Sequence, residues 1–249
     1  MAEVSCFLEG VSRQPGWRAG FVGRVAGVPV STDKWATLEG LEPAHREEVA
    51  RLGFGWEDLW RAEQVHGAEL AVVGEGVESL AGGADQRSAH HRADQRSAHH
   101  RIVPGVDGLL TGTPGVVLGI YVADCAAVYL ADWRTGAMAL LHSGKKGTEM
   151  GIVPRAVARM REEFGTDPAD LVAAIAPCIR PPLYEVDIAA AIVGQLREAG
   201  VPDGSVTDSG ICTGAAVDRF YSYRVEKGAT GRMLAMLGRI GEEGGRDAD

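Results

Sequence analysis

Three residues far apart in this chain carry side chains that could share one ion. Cys125 follows the run Leu118–Asp124, and His142 ends the apolar run Ala137–Leu141 seventeen residues later. His66 stands in Glu63-Gln64-Val65-His66-Gly67, just before the strand-like stretch Glu69–Val73. One thiol and two imidazoles make an open three-ligand set for a borderline-soft metal such as zinc, with the fourth position left for water or substrate. Each residue also fits a plainer role, since a Cys in an apolar run packs as a small hydrophobe. Strand ends and the loops after them are where sites tend to be built. The spacing forms no short motif, so at this level both readings stand.

The elements that must position these residues can be read from pattern. Asp107–Thr111 and Val116–Ala123 are β-rich. Ala127–Ala131 and Ala137–Leu141 read as a hairpin turning through Asp132–Gly136. His142 thus falls at a strand end. Ser143–Gly147 reads as a loop, followed by a helix over Thr148–Phe164 with Ile152, Ala156, Met160 and Phe164 at four-residue spacing. Backbone N–H groups at that helix start, beside Lys145 and Lys146, would suit an anion. Glu42-Pro43 reads as the opening of a helix that reaches Leu52 and stops at Gly53. Leu171–Ile175 and Tyr221–Val225 read as strands. Asp187 caps a helix over Ile188–Ala199 ended by Gly200, and Met233–Leu237 fits either strand or helix. Strands and helices in mixed order, with hairpins, predict an α/β chain with mixed sheets packed against helices. Residues 1–240 are expected to form one compact domain, with a frayed charged tail over 241–249.

An exact nine-residue duplication interrupts the middle: residues 84–92 and 93–101 both read Ala-Asp-Gln-Arg-Ser-Ala-His-His-Arg. Two copies are too few for a solenoid, and the insertion is expected in an exposed loop, where added length is cheap. His90, His91, His99 and His100 lie here, in a tract that would attract metals nonspecifically.

The 249 residues are enough for a substantial core, and 45% hydrophobic with 24% charged residues is ordinary for a globular chain. A net charge of −9 argues against a general nucleic-acid binder. No basic-then-apolar leader and no apolar run near 18 residues stands out, so the expectation is a cytoplasmic protein with no membrane partner. The four cysteines, at 6, 125, 178 and 212, are too scattered for a zinc finger or an evident disulfide framework. Cys178 and Cys212 read as core or supporting residues.

Several segments resemble the polyphenol oxidase or laccase-domain family, whose members act as purine nucleoside phosphorylases and adenosine deaminases. They are Gln64-Val65-His66-Gly67, Asp107–Thr111, Ala123-Asp124-Cys125, His142 with Gly144, Ala176–Ile179, Cys212-Thr213, Phe220–Arg224 and Thr230–Met233. They run in family order over nearly the whole chain. The resemblance implies the family's fold of mixed sheets packed against helices, and metal ligands at His66, Cys125 and His142. One segment departs: where the family usually has His-Ala-Gly-Trp-Arg-Gly, this chain has His142-Ser143-Gly144-Lys145-Lys146-Gly147. Arg offers a planar fork and Lys a point charge, so the surface beside the ligands is changed while the ligands are not.

The implied function is a zinc enzyme of purine nucleosides, acting by phosphorolysis of adenosine, inosine or methylthioadenosine, by adenosine deamination, or both. Its partners would be the nucleoside and phosphate, with no nucleic acid. Asp107 and Asp124 are candidates to orient a ligand histidine or move a proton. Arg24, Gln64, Lys145, Lys146, Tyr223 and Arg224 are the candidate substrate-binding residues. A copper-dependent phenol oxidase is an alternative, against which stands the lack of any His-x-His pair. A non-catalytic metal or nucleoside binding protein is the other.

Overall fold

The computed structural model of the chain describes residues 6–74 and 101–241. Its strands are β1 (Trp17–Val22), β2 (Leu59–Ala62), β3 (Leu70–Val72), β4 (Arg101–Val103), β5 (Gly108–Thr111), β6 (Val117–Val122), β7 (Ala126–Asp132), β8 (Met138–Ser143), β9 (Leu171–Ile175), β10 (Val206–Asp208) and β11 (Met233–Arg239). Its helices are α1 (Glu9–Ser12), α2 (Lys34–Arg51), α3 (Lys145–Glu149), α4 (Ile152–Phe164) and α5 (Ile188–Glu198).

The strands form two mixed sheets, ordered β1-β11-β6-β2-β4 and β10-β9-β7-β8-β5-β3. Alternation along the central strands explains why the sheets stack. Leu118, Ile120 and Val122 of β6, with Met233, Ala235 and Leu237 of β11, face Ala127, Tyr129 and Ala131 of β7 and Leu140 of β8 in one buried cluster. The opposite parity faces helices. Val128 and Leu130 of β7 pack with Ile152, Val153, Ala156 and Met160 of α4 and Ile188, Ile192 and Leu196 of α5. On the outer face of the other sheet, Val117, Leu234 and Met236 pack with Val49 of α2. The order of layers is helix, sheet, sheet, helices. Strands buried on both faces read as unbroken apolar runs, which is what Ala126–Ala131 of β7 and Met138–Leu141 of β8 are. The Tyr129 hydroxyl donates to the Gly20 carbonyl at 2.8 Å across the two sheets.

Three expectations change, and one open reading resolves. First, α2 starts at Lys34, with Asp33 accepting from the N–H groups of Trp35 and Ala36, and Pro43 lies inside it. A proline there leaves one carbonyl without its helical donor, yet a stripe through Leu38, Leu41, His45 and Val49 is buried and holds the helix. Second, the expected loop Ser143–Gly147 is the end of β8 and the start of α3 at Lys145, and Gly151, with a left-handed φ of 73°, separates α3 from α4 within the expected helix. Third, Tyr221–Val225 is no strand; residues 223–228 form turns. Fourth, Met233–Leu237 resolves as strand, paired on both edges by β1 and β6. The expected hairpin forms, with β7 and β8 antiparallel, and α5 has its Asp187 cap. The duplicated segment, apart from Arg101, and the expected tail beyond Gly241 lie outside the described residues.

Candidate metal centre and its cleft

Cys125 lies where the chain passes from one sheet to the other, between β6 and β7. His66 lies on another passage between the sheets, from β2 to β3. Because β2 pairs with β6 and β3 with β5, beside β8, the two passages come together at one end of the stacked sheets. His142, one residue before the end of β8, is registered against Ala127 and so faces the space between the sheets. The three ligand atoms all lie within 4.8 Å of one another. The two imidazole rings meet edge to face with centroids 4.9 Å apart. Among the described residues this is the one group of three such donors.

One carboxylate organises both histidines. Asp107 is fully buried, and its Oδ1 lies 2.8 Å from His142 Nδ1. The same carboxylate accepts from the backbone N–H groups of His66 (2.9 Å) and Gly67 (2.7 Å). Burial alone would raise the Asp107 pKa, but the hydrogen bonds from His142, Gly67 and His66 hold it below the usual carboxylate range. Asp107 is therefore the acceptor, His142 Nδ1 carries the proton, and Nε2 is left for the Cys125 side. The His66 loop needs that hold: Gln64 and His66 both take left-handed φ values, 65° and 60°. Such residues cost about 1–3 kcal/mol each. Gln64 is clamped further, since its side-chain amide both donates to the Tyr121 carbonyl and accepts from the Tyr121 N–H.

Two glycines let the backbone close in. A Cβ on Gly144 would stand 2.7 Å from the Cys125 sulfur, and one on Gly147 would stand 2.8 Å from the Gly67 carbonyl oxygen. The spacing His142-x-Gly144-x-x-Gly147 is thus dictated by contact.

Burial would raise the Cys125 thiol, yet hydrogen bonds with His142 and His66 outweigh it and bring its pKa down to about 6. Burial opposes charge on His142, but Asp107 and Cys125 hold its pKa above the usual imidazole range. A thiolate and two orientable imidazoles with a carboxylate behind one of them match the chemistry of a zinc site with an open position.

This trio opens into a cleft of about 740 Å³, lined also by Asp124, Lys145, Lys146, Tyr223 and Arg224. Asp124 accepts from the Thr213 hydroxyl and the Arg224 N–H, each at 2.8 Å, and so ties the wall segment to the residue beside Cys125. Lys145 and Arg224 both pair with Glu185, at 3.3 and 3.2 Å. Gln64 lines the cleft while serving as the Tyr121 clamp. Arg24 is not among the lining residues; it pairs with Glu226 at 2.6 Å and lies over the Tyr221 ring. Sequence pattern overlooked Lys34, Tyr184, Glu185, Lys227 and Arg232. Only Arg232 had a signal, as a member of the matched segment Thr230–Met233. Cys178 is buried and Cys212 partly so, their backbones joined in a single parallel bridge. No described helix is long and apolar enough to cross a membrane.

The family model described as multi-copper polyphenol oxidoreductase laccase matches residues 41–191 and 184–240. A Geobacillus stearothermophilus protein named purine nucleoside phosphorylase YlmD is 33% identical over 76% of this chain and 74% of its own length. A Streptomyces coelicolor protein, also named purine nucleoside phosphorylase, is 32% identical over 86% of this chain and 91% of its own. The crystal structure of YlmD from G. stearothermophilus superposes with a TM-score of 0.74 at 29% identity, covering 91% of this chain and 93% of that one. That of the hypothetical protein YfiH from Bacillus licheniformis gives 0.73 at 22%, covering 90% and 92%, and speaks for the fold alone. With 200 residues or so under the family model and relatives of this coverage, the chain belongs to the multi-copper polyphenol oxidoreductase laccase family.

Proposed function

We propose that this chain is a purine nucleoside phosphorylase working with a zinc ion held by His66, Cys125 and His142. The observation that carries the reading is the convergence of those three donors, backed by Asp107, in a cleft lined also by basic and aromatic side chains. The names of the relatives support the same substrate class.

In phosphorolysis, a phosphate oxygen bonds to the anomeric carbon as the bond to the purine nitrogen breaks. The electron pair leaves with the base, which takes the proton that hydrogen phosphate gives up. The products are free purine and sugar 1-phosphate. Zinc, when bound, supplies Lewis acidity. The chain's own residues do the rest. Asp107 fixes the His142 tautomer and the His66 loop. Asp124 fixes the segment carrying Tyr223 and Arg224 against the Cys125 passage. Ile179, Tyr184 and Ile188 give the cleft an apolar portion that suits a purine base. Basic side chains oppose the charge of phosphate. The reaction needs no membrane or nucleic acid, consistent with a cytoplasmic enzyme.

The test is incubation of metal-analysed protein with adenosine, inosine and methylthioadenosine, with and without phosphate. Release of free base that requires phosphate, with matching sugar phosphate, is expected. Ammonia without free base would make the enzyme a deaminase instead. Oxygen uptake with a phenol after copper loading would make it an oxidase. Tight nucleoside binding with no product would make it a binding protein.

A further inference from the structure

Six basic side chains line the cleft, and they fall into two sets by their partners. Lys145 and Arg224 already share the Glu185 carboxylate, and the Arg224 guanidinium also lies over the Tyr184 ring at 4.9 Å. Lys34, Lys146, Lys227 and Arg232 make no ion pair among the described residues, and of these Lys146 is exposed beside Lys145, although the chain as a whole carries a net charge of −9.

Register places Arg232 close to the donors. Met233 pairs with Val122 in the antiparallel ladder of β11 and β6, so Arg232 comes beside Ala123, two residues before Cys125. Its guanidinium is held, since Nη1 donates to the Gly231 carbonyl at 2.8 Å and to the Thr230 carbonyl at 3.4 Å. The Tyr223 ring lies 5.9 Å from its central carbon. A fork held this way keeps further N–H groups for an oxyanion. Lys34, the first residue of α2, is half-buried in the same lining. Burial, then the charge of Arg232, lowers the Lys34 pKa, and burial lowers that of Arg232. Glu63 acts on Lys34, and Asp124 and Cys125 act on Arg232, yet both pKa values stay lowered, and a bound anion relieves what remains of the repulsion.

We propose that Lys34 and Arg232, with Lys227, form the phosphate subsite of the cleft, and that Lys145 and Arg224 do not. The identity of the anion as phosphate rests on the phosphorylase reading; the cluster itself does not. In this arrangement Lys145 and Arg224 contribute less to phosphate, because both are already drawn to the Glu185 carboxylate.

Inorganic phosphate is the probe, by calorimetric titration and by its KM in nucleoside phosphorolysis. Lys34→Met and Arg232→Met are each expected to weaken phosphate at least about tenfold, the usual scale for one charged contact. The KM for inosine should stay within about twofold of the wild type on the same ground. Arg232→Lys keeps the charge and tests the fork if the Met variant folds poorly. Lys145→Met should move the phosphate KM less than either. A larger effect from Lys145→Met, or unchanged phosphate affinity in both Lys34 and Arg232 variants, overturns the subsite while leaving phosphorolysis in place. Phosphate binding lost in those variants, in a protein that never releases free base, upholds the anion site and sinks the phosphorylase reading. Absence of both binding and turnover sinks both. Stronger binding of inosine 5′-phosphate than of phosphate with inosine would assign the site to an ester rather than to the free ion.

Discussion

The Asp107 carboxylate stands 2.8 Å from His142 Nδ1 and also accepts from the backbone N–H of His66. A single side chain, on the residue just before β5, therefore sets the tautomer of one donor and the loop conformation of another. Asp107→Asn keeps the size and removes the charge. An amide must point an NH₂ at one of three N–H donors, leaving a buried clash of donors. Metal affinity, measured by competition with a chelator, should fall about 10–100-fold, and turnover with it. Unchanged affinity would mean that the carboxylate is only a structural cap.

Gly144 should be intolerant for reasons of contact alone. Its φ of −89° suits any residue, yet a Cβ would press on the Cys125 sulfur at 2.7 Å. Gly144→Ala is expected to cost about 1–3 kcal/mol of stability, as overpacking does, and to displace the thiol. Thermal denaturation with metal analysis checks it. Normal metal content together with a wild-type midpoint would show that the loop can yield.

His45 predicts a pH dependence. It is fully buried, and desolvation, then the charge of Arg61, depresses its pKa from 6.5 to about 4. Below pH 6.5 the unfolded chain binds a proton there and the folded chain does not. Its contribution to stability is therefore complete above about pH 6.5 and is lost as pH falls toward 4, with a slope approaching about 1.4 kcal/mol per pH unit. Denaturant melts between pH 7 and 5 should show the slope in the wild type and a shallower one in His45→Phe. Equal slopes would place the proton uptake elsewhere.

The nine-residue repeat offers a clean deletion. Removing 93–101 brings Arg92 to the place of Arg101 before Ile102, so β4 keeps its first residue type. The deletion removes less than half of the connection between β3 and β4, and even halving one changes closure entropy by only about 0.6 kcal/mol. Folding stability and phosphorolysis are expected to stay near wild type, as followed by denaturant titration and a base-release assay. A large loss of either would give the duplicated histidines a role.

The amino-acid sequence alone marked Cys125 and His142 beside apolar runs, and the Asp187-capped helix with its Gly200 stop. These are local signals, carried by alternation, by caps and by glycine at left-handed turns. It misplaced the start of α2, because the buried stripe there includes His45 and the helix runs through Pro43, so neither apolar period nor the usual proline rule spoke for it. It read Tyr221–Val225 as a strand, although neighbouring chain holds those residues in turns: Ser222 accepts from Val225, and Glu226 accepts from Ser222. Only the tertiary structure brought β11, from the end of the chain, between β1 and β6, and with it Arg232 to the Cys125 passage. Pairing between strands over a hundred residues apart leaves no periodic trace in either strand. The donors were therefore legible one by one, while the cleft around them was decided by which distant strands came to lie side by side.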